Sequence, residues 1–106
     1  MIISVVQNFI CTVPERLKLL EDNLPKVGEV WGEYPFFVNF NDTKNLDKVY
    51  SLYKKYIPNL HFYNNLEKDW AGTMLSLLNE VETSYSINIC EDQQFFMTKQ
   101  DWDNVI

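Results

Sequence analysis

Short apolar runs rich in β-branched and aromatic residues alternate along this chain with stretches whose apolar residues recur every three or four positions. Four runs read as strands: Ile2–Val6, Phe36–Phe40, Leu60–Tyr63 and Tyr85–Cys90. Continuous apolar character, without strict alternation, marks strands covered on both faces. The intervening stretches carry helical stripes. Leu17, Leu20 and Leu24 form one, and Leu46, Val49, Tyr50, Tyr53 and Ile57 the next. Trp70, Met74, Leu77, Leu78 and Val81, at i, i+4, i+7, i+8 and i+11, form the clearest. A β-α-β-α-β-α-β-(α) order with helix-length connections implies right-handed crossovers and a mostly parallel sheet. The expected fold class is α/β, three layers α/β/α, in one domain over residues 1–106.

Local signals punctuate the pattern. Thr12 with Glu15 suits a capping box, and Pro14 suits a first helical turn. Pro25 is expected to end the first helix or to fall just past its end, and the segment from Val27 to Pro35, with Gly28 and Gly32, is expected to begin as a loop. Asn41, Asp42 and Thr43 close the second strand and can cap the helix that follows, which Pro58 stops. Asp69 is the expected cap of the third helix, and Thr98 opens a last helical stretch.

With 106 residues, 46% hydrophobic and 15% aromatic, the chain can bury a real core. A net charge of −6 argues against a nucleic-acid-binding surface. No apolar run is long enough for a transmembrane helix, and the N-terminus lacks a basic region and a small-residue cleavage site, so the expected location is cytoplasmic. Cys11 and Cys90 with a single His make no zinc set and are expected to be reduced.

The chemistry-bearing feature is Glu91-Asp92, at the end of the fourth strand. In open α/β sheets ligands bind outside the carboxyl ends of the strands. An acidic pair there can hold a hard divalent cation, which in turn can hold phosphates. The same residues can instead solvate the sheet edge or cap the next helix. Asn8, Asn41 and Asp42, at the ends of the first and second strands, can hydrogen-bond a base edge or ribose, or can serve as turn and cap residues. Trp70 can stack on a ring but is in phase with the core stripe, and His61 lies mid-strand as a structural or partly exposed residue. No nucleophile has a partner set, and no glycine-rich phosphate loop exists.

The ordered set of features resembles the N-terminal, nucleotide-sugar-binding half of the GT-A glycosyltransferases, family 2 type. The resemblance is carried by Ile3–Phe9 followed by Pro14-Glu15-Arg16-Leu17, by Phe37–Asp42, by Asn64-Asn65 and Trp70-Ala71-Gly72, and by Ile89-Cys90-Glu91-Asp92-Gln93. It implies a Rossmann-like, truncated GT-A fold that binds a nucleotide-diphosphate sugar with Mn²⁺ or Mg²⁺. It implies base or ribose contacts from Asn8, Asn41 (or Asn39) and Asp42, with Asp92 as first metal ligand and Glu91 second. The chain departs from the family in having Glu91-Asp92-Gln93 for Asp-x-Asp, and Gln7 where a proline is common. The acceptor half, which carries the family's catalytic base, is expected to be missing. The chain would then be a hexosyl transferase only when completed by a C-terminal region. The alternative is a non-catalytic binding or dimerisation module, in which a homodimer covers the exposed sheet edge and apolar surface. An unrelated flavodoxin-like or receiver-like domain lacks the phosphoacceptor or flavin-loop pattern in this sequence.

Overall fold

Val5 and Val6, adjacent on one strand and pointing to opposite faces, are both wholly buried, so their strand is covered on both sides. In the computed structural model, which describes residues 3–9, 14–41, 44–64, 69–83, 85–89 and 98–105, this strand is β1 (Ile3–Phe9). The remaining elements are α1 (Pro14–Trp31), β2 (Phe36–Phe40), α2 (Leu46–Tyr56), β3 (Leu60–Tyr63), α3 (Trp70–Glu80), β4 (Tyr85–Asn88) and α4 (Lys99–Val105). The four strands form one all-parallel sheet in the order β3-β2-β1-β4. This is a Rossmann-like α/β arrangement, and the expected element order holds among the described residues.

The order explains the layers. The chain steps from β1 to β2 to β3 in one direction, then crosses back to place β4 on the far side of β1. A right-handed connection that reverses direction must cross the opposite face. Accordingly α1 and α2 pack on Val5, Phe36, Val38 and Phe40, while α3 lays Met74 and Leu77 over Val6 and Phe37. α4 returns to the first face. Its buried Trp102 meets Trp31 edge-on, with ring centroids 5.6 Å apart, and donates its indole N–H to the Tyr34 hydroxyl at 2.9 Å.

Three expectations need correction. Pro25 does not end α1, which continues through it to Trp31. An interior proline costs about 3 kcal/mol, whereas burying Val27, Val30 and Trp31 beyond it returns roughly 1.5–3 kcal/mol per large apolar side chain. Burial wins, and only a short turn precedes β2. The α2 cap is Asn45, in the left-handed region at φ 62° and without a side-chain cap bond. Asn tolerates that region better than most residues, and Asn41 lies upstream of the cap. Leu78, assigned to the core stripe of α3, is exposed; buried Thr73 lies on the covered face beside Met74 and Leu77. The Asp69 cap is as expected, its carboxylate accepting from the Gly72 amide at 2.7 Å. The Thr12 box, the Trp70 side chain, Cys11 and Cys90 lie outside the described residues.

Two predictions follow from this packing. A Cβ built on Gly28 would stand 2.6 Å from the Tyr56 carbonyl oxygen, backbone that cannot swing away. Gly28→Ala is expected to lower unfolding free energy in a urea titration. Overpacking costs about 1–3 kcal/mol, which outweighs the gain in helix propensity of about 1 kcal/mol. At the start of α4, the Thr98 amide donates to Asp101 and the Asp101 amide donates to the Thr98 hydroxyl. The backbone bond from Thr98, then its hydroxyl, holds the Asp101 carboxyl below its ordinary value. A depressed folded-state pKa means that the cap's contribution is complete above the unfolded value, about 3.9, and disappears as pH falls through the folded one. Amide protection factors in α4, which are corrected for the intrinsic exchange rate at each pH, should therefore fall below about pH 4, and Asp101→Asn should flatten that dependence.

Candidate functional site

Polar side chains are rare inside a doubly covered sheet, and here they gather toward the carboxyl ends of the central strands. Gln7, Asn8 and Asn39 are all buried. Successive strand residues point to opposite faces, which sends Gln7 toward α2 and Asn8 toward α3. Gln7 accepts a hydrogen bond from the buried Tyr53 hydroxyl of α2. On the other face Asn8 lies level with Asn39 in the β1–β2 register. The Asn39 amide donates to Asn8 Oδ1 across a long 3.4 Å contact. Beyond β3, the Asn64 amide donates to the Phe40 carbonyl and ties the end of β3 to the end of β2.

A cleft of about 90 Å³ opens from Asn39 under α3, bounded by Tyr63, Thr73, Ser76, Leu77 and Glu80. That is well below the roughly 300–1,000 Å³ of a typical ligand pocket. A nucleotide-sized ligand does not fit within it and would have to lie on the rim above. Burial first, and then the Glu80 carboxylate, raise the Tyr63 phenol above the ordinary tyrosine value, so this edge of the cleft is electronegative.

Of the residues singled out from sequence, Asn8 stands buried at the end of β1, and Asn41 follows β2 directly and is half-buried. Both belong to the carboxyl rim of neighbouring central strands. Asp42, Glu91 and Asp92 lie outside the described residues. Among the described residues no group of three or more His, Cys, Asp or Glu side chains is placed to hold a metal ion. Likewise, none of their helices is long and apolar enough to cross a membrane.

Sequence reasoning missed Thr73, Tyr63 and Glu80 as cleft residues. Thr73 carried a signal: it is the polar member of an otherwise apolar helix face between Trp70 and Leu77. Tyr63 and Glu80 carried none, because their proximity depends on which strand α3 crosses.

The chain matches no protein-family model, no curated protein and no solved structure. Its family is therefore not shown, and the site is read from its own geometry.

One consequence concerns the amide pair. Asn39→Ala deprives Asn8 of a donor in a buried setting, where losing one hydrogen-bond partner costs about 1–3 kcal/mol. The expected outcome is a lower urea midpoint with an unchanged slope, together with a shifted Asn8 side-chain amide resonance in the NMR spectrum.

Proposed function

We propose that this chain is a nucleotide-binding α/β domain of the GT-A glycosyltransferase type, holding a nucleotide-diphosphate sugar with a divalent cation at the carboxyl rim of its sheet. The observation that supports this reading is the reversal of strand order at β1, with buried Asn8 and half-buried Asn41 at the rim beside it. Such a reversal leaves a crevice between diverging connections, where doubly wound sheets take their ligands.

In this reading Asn8, Asn41 and Asp42 hydrogen-bond the base or ribose through amide and carboxylate oxygens and amide N–H groups. Asp92 and then Glu91 supply the hard oxygen donors that suit Mg²⁺ or Mn²⁺. When bound, the cation offsets the negative charge that builds on the departing diphosphate. The buried Asn39 braces Asn8 in the orientation that its bond with it defines. The activity of a hexosyl transferase would further require an acceptor-binding region supplying the base.

A second reading, a non-catalytic binding or dimerisation module on the same fold, draws support from apolar side chains left in solvent. Leu75 is 63% and Tyr85 61% exposed, and Leu78 is also exposed.

A thermal-shift titration with UDP and GDP, with and without Mn²⁺, tests the first reading. A ligand that binds only the folded chain stabilises it by about 2.7 kcal/mol at 100 times its Kd. The expected result is a rise in Tm that requires nucleotide and metal together and is lost in Asp92→Ala. No rise at millimolar ligand overturns this reading, and a stable dimer in the same sample would then establish the module.

A further inference from the structure

A second concavity lies on the α3 face toward the opposite end of the sheet. It opens between α3 and the edge strand β3 and encloses about 330 Å³, within the size range of small-ligand pockets. Ser4, near the start of β1, and Pro35, directly before β2, mark its position at the amino ends of the strands. It is therefore distinct from the rim that carries Asn8 and Asn41, and nothing in the nucleotide reading uses it.

Its lining combines aromatic rings with carboxylates and hydroxyls. Phe37 and His61, paired in register on neighbouring strands, stack with centroids 4.5 Å apart and planes 10° from parallel. The Tyr63 ring adds a second aromatic surface. Glu80, the last residue of α3, and Glu82, just past its end, contribute two carboxylates to the wall. Among the described residues, no Lys or Arg lines the cleft.

The hydroxyls at its inner end are already engaged. Thr83 Oγ1 donates to the Tyr85 carbonyl at 2.8 Å, so the 2.8 Å contact between Ser4 and Thr83 uses the Ser4 proton. Those protons are unavailable to an anion. Aromatic faces and carboxylates together favour a positive ligand, because a ring quadrupole attracts a cation over its face and a carboxylate offsets its charge.

We propose that the cleft between α3 and β3 is a binding site for a small organic cation, an ammonium or trimethylammonium group on a compact body. The half-buried Tyr63 ring and the exposed His61 ring, backed by buried Phe37, cover the cation's methyl or methylene surface, and Glu80 and Glu82 balance its charge.

Choline and its neutral carbon isostere, 3,3-dimethylbutan-1-ol, separate charge recognition from simple apolar filling. Each is titrated into the ¹⁵N-labelled chain at low salt and followed by ¹H–¹⁵N NMR. Choline is expected to give saturable shifts centred on Phe37, His61, Tyr63, Glu80 and Thr83, with the isostere about tenfold weaker. Binding should weaken with added NaCl. It should fall by a similar factor in the Glu80→Gln/Glu82→Gln double variant, while the exposed Glu29→Gln on α1 behaves as the parent. Both glutamates are exposed, and the same spectra report whether each variant is folded. Equal binding of the isostere, shifts centred elsewhere, or no saturation with choline would each overturn the proposal. Tyr63 and Glu80 also line the smaller cleft beside Asn39, whereas Phe37, His61 and Thr83 line only this one; with a probe that carries no phosphate, shifts at those three make the outcome independent of the UDP and GDP titration.

Discussion

The two-sided parallel pairing of β1 is the constraint on which the remaining elements depend. β1 hydrogen-bonds β2 along one edge and β4 along the other, so its own backbone groups are satisfied only when chain segments more than twenty residues away are in place. Unpaired backbone groups in such a position would be costly, and both faces of the strand must also be covered. Wholly buried Val5 and Val6 face opposite layers. The placement of α1 and α2 on one face and α3 on the other is thus one requirement seen from two sides.

The same constraint explains where polar chemistry can reside. A strand buried on both faces tolerates a polar side chain only when another group satisfies it. Gln7 is met by Tyr53, Asn8 by Asn39, and Ser4 by Thr83. Each partner comes from a different element, α2, β2 and the turn after α3, so the polar groups also specify how those elements register against β1. The carboxyl rim carries the amide pair, and the amino-end cleft carries the aromatic stack with its carboxylates. Charge is kept out of the sheet itself and enters only from the end of α3, where Glu80 and Glu82 remain in solvent.

Pro25, Leu78 and Asn45 show where local rules yield. Pro25 is a strong local stop, yet α1 runs on because Val27, Val30 and Trp31 have a sheet and a facing helix to bury against. Leu78 is as apolar as Leu77 but lies about 100° further round the helix, and α3 has no layer above it among the described residues to receive a second stripe. Asn45 caps α2 from a left-handed conformation, without the side-chain bond that a cap of its residue type usually makes. For Pro25 and Leu78 the deciding energy comes from neighbours distant in sequence.

What this sequence determined by itself is the kind, order and approximate extent of its elements. Apolar runs and helical stripes are properties of five to fifteen consecutive residues, and the crossover rule converts their alternation into a parallel sheet. Asn8 and Asn41 were legible as rim residues for the same reason, since strand ends follow from strand bounds. Only the tertiary structure decided the strand order β3-β2-β1-β4, which face each helix covers, the pairing of Asn8 with Asn39, and the meeting of Phe37, His61 and Tyr63 with Glu80. Those depend on the direction each crossover takes after its helix, a choice made by the burial of whole layers that no local pattern encodes.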